Sequence, residues 1–172
     1  MKKRAKSSLS QKTASPGWAD LYHAAVQVRQ HSHSPYSGHQ VGAAIRLENG
    51  QIFGGCNVEN ASYGGTVCAE RVAIQNAVAT LGPSQVRVRE VVVVTAASPP
   101  WPPCGFCRQV LAEFGTPATT IHAAHAENGP RDAWSKTLGE LLPDAFTPHD
   151  LAGSARLKPK TKRSVKKTRA NS

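Results

Sequence analysis

Three of the four cysteines in this chain lie at spacings that suit metal or redox chemistry. Cys104 and Cys107 form a Cys-x-x-Cys pair, which alone fits a redox dithiol, half of a structural zinc site or two buried thiols. Cys68 begins one predicted helix and Cys104 begins another. Because each helix follows a loop after a strand, both N-termini are expected near one edge of an α/β sheet. The three sulfur atoms can therefore converge there.

The number of thiols bears on the kind of metal site. A structural zinc site normally has four protein ligands, whereas three protein ligands leave one position open for water, as in catalytic sites. The remaining thiol, Cys56, lies in a predicted hairpin strand and is expected to pack as a small buried residue. The cysteines therefore predict a catalytic Zn²⁺ held by Cys68, Cys104 and Cys107.

Two charged residues that follow Cys68 give this site its expected chemistry. Three thiolates on one Zn²⁺ leave a net negative charge, which works against lowering the pKa of bound water. The positive helix N-termini and a hydrogen bond from Arg71 to a thiolate would compensate. Glu70, in the first helical turn, lies beside the metal without binding it and can carry protons. The alternatives are a surface salt bridge for Arg71 and a dipole-complementing role for Glu70.

The segments that must position these residues alternate between helical and strand patterns. Asn49-Gly50 is a hairpin signal, and four consecutive valines indicate a strand buried on both faces. The order α-β-β-α-β-α-β-α, with an optional strand after the turn at Asn128-Gly129, predicts a mixed sheet with helices on both faces. The predicted helices cover 15–31, 68–81, 104–114 and 137–142, and the predicted strands cover 41–47, 51–57, 90–97 and 119–125.

The formal net charge of +10 resides in the two ends of the chain. Five basic and no acidic residues precede Thr13, and eight basic and no acidic residues follow from Arg156 onward. The body between them has eight basic and eleven acidic residues, a net charge of −3. We therefore expect disordered tails at 1–14 and 153–172 around one domain at 15–152. The tails either bind polyanions weakly and nonspecifically or only aid solubility.

Composition also bears on location. No apolar run approaches the roughly 18 residues of a membrane span. The basic N-terminus is followed by polar residues, unlike a secretory signal. Four cysteines without such a signal favour a reducing compartment, so a cytoplasmic location is expected.

The residues around the cysteines resemble the zinc-dependent cytidine deaminases. Cys-Ala-Glu at 68–70 and Pro-Cys-Gly-Phe-Cys at 103–107 match the deaminase signature of a His- or Cys-led x-Glu followed by Pro-Cys-x-x-Cys. Gly-Cys-Asn-Val-Glu-Asn-Ala-Ser-Tyr-Gly at 55–64 and Leu-Leu-Pro-Asp-Ala-Phe at 141–146 are similar to the small homotetrameric, three-cysteine form. The resemblance spans about 18–151 and excludes both tails.

This resemblance implies a fold, a reaction and a set of substrate contacts. It implies a three-layer α/β/α sandwich with a mixed five-stranded sheet, assembled as a homotetramer with sites completed across subunits. It implies zinc-dependent hydrolysis at C4 of cytosine, with Glu70 protonating N3 before ammonia leaves. In one subunit Asn57 and Glu59 would hold the ribose 3′-hydroxyl and Ala69 and Cys104 would face the pyrimidine, while Ala61, Tyr63 and Phe146 would reach a neighbouring subunit's site.

One position departs from the family pattern. The family usually carries Phe two residues before the Val of its Val-Gly-Ala-Ala strand, where it stacks on the base, and His39 stands there in this chain. Imidazole is smaller and polar, and it can become charged near neutral pH. His39 is therefore expected to contact the base and alter base affinity, with tolerance of modified cytosines as a consequence. The alternative is a polar surface residue.

These residues favour deamination of free cytidine and deoxycytidine to uridine and deoxyuridine, in pyrimidine salvage. One enzymatic alternative is deamination of modified cytosine nucleosides or other aminopyrimidines. Another is deamination of cytosine in polynucleotides gripped by the basic tails. A zinc-stabilised nucleic-acid-binding module is the non-enzymatic alternative, and it requires a closed fourth ligand and no role for Glu70.

Overall fold

A computed structural model describes residues 17–154 of the 172-residue chain. The predicted helix start at Ser15-Pro16 and nearly all of both basic tails lie outside the described residues. None of the described helices is long and apolar enough to span a membrane. In chain order the elements are α1 (Ala19–Arg29), β1 (Gly42–Leu47), β2 (Ile52–Cys56), α2 (Ala69–Leu81), β3 (Val88–Thr95), α3 (Gly105–Phe114), β4 (Thr120–His125), β5 (Gly129–Thr137), α4 (Leu138–Leu141) and α5 (Pro148–Ser154).

The strands form one sheet in the order β2-β1-β3-β4-β5. Strands β3 and β4 run parallel and the other neighbours run antiparallel, so the sheet is mixed. Helix α1 packs against β1, β2 and β3 on one face, and α2 and α3 contribute to the core on the other face. This confirms the predicted three-layer α/β/α sandwich.

Strand β3 is buried on both faces and separates two hydrophobic clusters. Val91 and Val93 pack in the cluster that includes residues of α2 and α3. Val92 and Val94 pack in the cluster beneath α1. Because successive side chains of a strand point to opposite faces, a strand between two helical layers must be apolar at nearly every position. That requirement explains the run of four valines.

The C-terminal third departs most from the predicted elements. The optional strand is real: β5 is nine residues long and lies at the edge of the sheet. Its sequence is mostly polar, so it carries little strand signal. Helix α5 has no counterpart among the predicted elements. At its start, the backbone N–H and the hydroxyl of Thr147 both donate to Asp150 at 2.8 Å. The helix runs through Ser154, two residues beyond the expected domain end.

A charged network ties the start of α1 to the sheet. Arg46, almost buried on β1, donates to both carboxylate oxygens of Asp20, at 3.0 and 2.6 Å, and to Glu90 at 3.0 Å. The guanidinium of Arg46 lowers the pKa of Asp20 to about 2. Glu90 also lies 3.1 Å from Nε2 of His122, whose ring stacks on Trp18. These contacts set the position of α1 on its face of the sheet.

Gly55 allows β2 and α2 to meet at backbone contact. A Cβ at this position would overlap the backbone nitrogen of Ala73 and lie 2.5 Å from the carbonyl oxygen of Ala69. Both atoms belong to the helix backbone and cannot rotate away. Because Cys68 caps α2 and Glu70 lies in its first turn, this close contact also fixes where those two residues lie relative to the hairpin.

We expect Gly55→Ala to lower the free energy of unfolding by about 1–3 kcal/mol, as for other overpacked sites. Urea-induced unfolding followed by circular dichroism measures this change. Gly64→Ala is the matched control, because a Cβ at Gly64 meets no atom within 4 Å. Equal unfolding midpoints for the two variants would show that the contact between β2 and α2 tolerates a methyl group.

Candidate active site

The three cysteines singled out in the sequence meet at the N-termini of α2 and α3. Their sulfur atoms all lie within 4.8 Å of one another, and Cys68 Sγ is 3.9 Å from Cys104 Sγ. Cys68 and Cys104 are the N-cap residues of their helices, and Cys107 lies buried in the first turn of α3. The half-buried Cys56 lies on β2 and is not part of this cluster.

The electrostatics of the cluster fit a divalent metal ion. A hydrogen bond from Cys107, together with Arg71, lowers the pKa of Cys68 to about 5. The same Cys68–Cys107 contact and burial raise the pKa of Cys107. A bound metal ion deprotonates coordinating thiols, and three sulfurs at these separations suit Zn²⁺.

Arg71 places its guanidinium against the sulfur cluster. Its Nη2 donates to the Thr66 carbonyl at 2.8 Å and to Cys68 Sγ at 3.7 Å. The Phe106 ring covers the guanidinium, with the ring centroid 4.3 Å from Arg71 Cζ. The Nε atom is buried without a hydrogen-bond partner among the described residues. The positive charge is thus held close to Cys68.

Glu70 is buried next to the cysteines, with 4% of its surface exposed. Burial raises the pKa of its carboxyl to about 7, and negative charge at Cys68 adds to the increase. A carboxyl group that is buried beside thiols and also lines a cavity is placed to exchange protons with a bound molecule.

A cavity of about 300 Å³ opens over the sulfur cluster and Glu70. This volume is at the lower end of the usual range for small-molecule sites. A larger cavity of about 620 Å³ lies between α3, α4 and the start of α5 and contains no cysteine. The smaller cavity is lined by Ser37, His39, Val41, Asn57, Glu59, Thr66, Cys68, Ala69, Glu70, Val93, Thr95, Trp101, Pro102 and Cys104.

Asn57 is held firmly at the wall of this cavity. Its Oδ1 accepts hydrogen bonds from the Ser32 hydroxyl at 2.6 Å and the Val41 N–H at 2.8 Å. Its Nδ2 donates to the His39 carbonyl at 2.9 Å. An amide nitrogen carries two hydrogens, so Nδ2 has one further hydrogen to donate to a ligand.

Glu59 is anchored by the turn that precedes β1. The backbone N–H groups of Tyr36 and Ser37 donate to its Oε2 at 2.9 and 3.2 Å, and the Ser37 hydroxyl donates to its Oε1. The Ser37 hydroxyl bond is the largest cause of a lowered pKa at Glu59. The carboxylate is therefore ionised and fixed in direction, and it presents hydrogen-bond acceptors at the cavity wall.

The remaining residues expected near the base also line the cavity. Ala69 is fully buried at the start of α2. His39 is exposed and lines the cavity from the opposite loop. Its ring meets the edge of Trp101, with centroids 4.9 Å apart and planes at 76°.

Ala61, Tyr63 and Phe146 do not line this cavity within their own chain. Tyr63 is 76% exposed and makes an edge contact with Tyr36. Phe146 is also exposed, and its backbone carbonyl accepts a hydrogen bond from Gln109 of α3 at 2.6 Å. All three therefore lie at the surface, where another chain can contact them.

Seven of the lining residues were not named by the sequence analysis, and Ser37, Thr95 and Trp101 are three of them. Ser37 lies in a segment that reads only as a turn, and its hold on Glu59 depends on a contact 22 positions away. Thr95 ends β3, and strand ends in α/β sheets often carry ligand contacts. Trp101 stands between prolines three residues before Cys104, and a large aromatic residue in that loop was a signal that could have found it.

Comparisons with known proteins agree with this geometry. Residues 18–123 match the family model for the cytidine and deoxycytidylate deaminase zinc-binding region. A cytidine deaminase of Halalkalibacterium halodurans is 41% identical over 127 residues, 74% of this chain and 92% of that protein. One of Mycobacterium tuberculosis is 38% identical over 134 residues, 78% of this chain and 92% of that protein. The crystal structure of a Burkholderia pseudomallei cytidine deaminase is 41% identical, covers 74% of this chain and 97% of its own, and superposes with a TM-score of 0.67.

We expect Cys107→Ser to lose most of its bound zinc, because a hydroxyl is a much weaker ligand than a thiolate. Zinc per chain is measured by atomic absorption after dialysis. Cys56→Ser is the matched control and should keep the wild-type content, because Cys56 lies outside the sulfur cluster. Zinc loss from the Cys56 variant, or none from the Cys107 variant, would contradict the assignment.

Proposed function

Because this chain belongs to the cytidine and deoxycytidylate deaminase family, we propose that it hydrolyses the 4-amino group of cytidine and deoxycytidine, releasing ammonia with uridine or deoxyuridine. The observation that carries the proposal is the buried Glu70 carboxyl beside three converging cysteine sulfurs at a nucleoside-sized cavity. Zn²⁺ is the cofactor, and Cys68, Cys104 and Cys107 would hold it.

Glu70 would carry the protons of the reaction. A zinc ion held by the three cysteines would supply Lewis acidity to activate the attacking water. The Glu70 carboxyl group is buried beside the metal ligands, so it would exchange protons with the bound molecule and not with bulk water. It would accept a proton from the attacking water and deliver it to N3 of the cytosine ring. It would then move the proton of the new C4 hydroxyl to the amino group, which leaves as ammonia. Arg71, against Cys68, would offset the negative charge of the three thiolates.

Asn57 and Glu59 would recognise the sugar. A hydroxyl group both donates and accepts. The free Nδ2 hydrogen of Asn57 can donate to the ribose 3′-oxygen, and the ionised Glu59 can accept a hydrogen bond from the 3′-hydroxyl. Both cytidine and deoxycytidine carry this hydroxyl, so the pair supports use of both.

Glu59 also argues against polynucleotide substrates. In a polynucleotide the 3′-oxygen is esterified to phosphate, so it has no proton to donate and brings a negative charge. Next to an anchored carboxylate that charge is unfavourable. The zinc-stabilised binding module is disfavoured for another reason, since burying Glu70 is costly and serves no purpose without proton transfer.

We further propose a homotetramer in which neighbours complete each site. Exposed aromatic residues are the support: Tyr63 and Phe146 are 76% and 58% exposed, and Tyr36 and Phe106 are also more than half exposed. In the assembly Tyr63 and Ala61 would reach a neighbour's sugar, and Phe146 would close that site. Free nucleosides as substrates and thiols that must stay reduced suit pyrimidine salvage in the cytoplasm.

We expect Glu70→Gln to lower kcat for cytidine by about 10²–10⁴-fold, the usual contribution of a general acid–base group. The loss of absorbance on conversion of cytidine to uridine measures the rate. The variant should keep its zinc, because Glu70 is not among the proposed ligands. Glu140→Gln, on the exposed α4 cap, is the matched control and should retain wild-type activity.

Two outcomes of the same assay would overturn the proposal. The first is wild-type protein with a full zinc content that does not turn over cytidine or deoxycytidine. The second is a wild-type protein that forms uridine within single-stranded RNA faster than it deaminates the free nucleosides. Wild-type rates in the Glu70 variant would remove the role assigned to its carboxyl.

Shared sites make a separate prediction. Glu70→Gln and Phe146→Ala chains should each be weakly active alone, because every site then lacks one of the two groups. Co-expressed in equal amounts, they should recover activity at about a quarter of the sites, where an intact Glu70 meets an intact Phe146 from a neighbour. No recovery in mixed oligomers would place Phe146 in the site of its own chain or outside any site.

A further inference from the structure

A second cavity adjoins the one over the cysteines. It has a volume of about 290 Å³, close to the 300 Å³ of the first. His39, Thr95 and Trp101 line both cavities. The rest of the second cavity is formed by Arg29, Gly38, Gln40, Ala96 and Ala97. The two spaces therefore share one wall, and the rings of His39 and Trp101 are its largest parts.

The shared wall is an edge-to-face ring pair. The centroids of His39 and Trp101 are 4.9 Å apart, with the planes at 76°. Trp101 is 43% exposed, so its indole is not packed into either hydrophobic core. A large ring that is half exposed and borders two cavities sets how much space each one has.

The backbone around Trp101 is held in place on both sides. Prolines at 99, 100, 102 and 103 fix φ at four positions, and a residue that precedes proline is itself restricted to extended conformations. The Pro100 carbonyl accepts a hydrogen bond from Trp134 Nε1 at 3.0 Å, and the Pro103 carbonyl accepts one from Arg108 Nε at 2.8 Å. The indole is therefore presented from a rigid frame, as a residue that shapes a pocket must be.

The direction of the base follows from the proposed function. C4 must face the sulfur cluster, and N3 must face Glu70 on α2. C5 lies on the other side of C4 from N3, so it points away from Glu70. Trp101, Pro102 and His39 line the cavity from segments other than α2. A substituent on C5 is therefore expected on the side of the shared wall.

We propose that the second cavity is a subsite for C5 substituents of cytosine nucleosides, and that Trp101 determines how large a substituent enters. This inference rests on the proposed function, because it uses the orientation of the base. Arg29 and Gln40 add polar groups to the far side, so a substituent with a hydrogen-bond acceptor suits the space. His39 completes the wall, and its polar ring leaves more room than the phenylalanine usual in the family.

The test compares kcat/KM for cytidine, 5-methylcytidine, 5-hydroxymethylcytidine and 5-propynylcytidine across wild-type, Trp101→Ala, Trp101→Phe and His39→Phe proteins. The kcat/KM value for each substituted nucleoside is divided by the kcat/KM value for cytidine with the same protein. Electronic effects of the substituent on the reaction cancel when these ratios are compared between proteins. We expect Trp101→Ala to raise the propynyl ratio by about tenfold or more, mainly through KM, with Trp101→Phe between it and wild-type.

The controls separate this inference from the proposed function. Trp101→Ala must keep its zinc and its wild-type melting temperature, and Trp101→Phe provides the same comparison if the alanine variant does not fold. An unchanged propynyl ratio in a variant that still deaminates cytidine overturns the subsite and leaves the function intact. If wild-type protein turns over no nucleoside, the proposed function fails. In that case the Kd of each substituted nucleoside is measured by calorimetry and divided by the Kd of cytidine, and an unchanged propynyl ratio in Trp101→Ala overturns the subsite.

Discussion

The fold brings three cysteine sulfurs within 4.8 Å of one another. Once the thiols ionise, the negative charges on these sulfurs repel one another. The N-termini of α2 and α3, which lie side by side, reduce this repulsion. Cys68 and Cys104 both cap a helix, so unpaired backbone N–H groups and the positive ends of two helix dipoles surround the sulfurs. Arg71 adds a full positive charge against Cys68. These groups offset the negative charge that three thiolates on one zinc ion would carry.

The adjacent N-termini of α2 and α3 depend on how the strands pair and on how β2 packs against α2. Strands β1 and β3 must pair antiparallel and β3 and β4 parallel, so that α2 and α3 lie adjacent on one face. Gly55 then lets β2 press against the backbone of α2. Because β2 leads directly into Asn57 and Glu59, the same contact brings these two polar residues to the cavity that holds Glu70.

Local pattern was enough to predict the metal cluster and the layers of the fold. The cysteines and Glu70 lie within one turn of a helix start, and the valine run of β3 is explained by burial on both faces alone. Strand β5 and helix α5 were harder, because an edge strand needs no continuous apolar pattern and a seven-residue helix has little periodicity. Ser37 and Trp101 belong to the site through contacts with residues distant in sequence. Nothing local marks the contact of Ser37 with Glu59, and the place of Trp101 close before Cys104 is a local signal that does not reveal its contact with His39.

The residues proposed to carry out the reaction and those proposed to recognise the nucleoside lie on different kinds of structure, helix termini and loops. The sulfurs and Glu70 sit on helix termini that are locked by backbone packing, so little can change there without losing the metal. The groups proposed to contact the base and sugar sit on loops that are anchored by side-chain contacts: Glu59 by Ser37, and Pro100, next to Trp101, by Trp134. A substitution in such a loop alters one wall of the cavity and leaves the sulfur cluster untouched. The replacement of the family's usual phenylalanine by His39, next to Trp101, is a change of this kind. In the proposed base pocket it would change the space beside Trp101, while Cys68, Cys104 and Cys107 keep their places at the N-termini of the two helices.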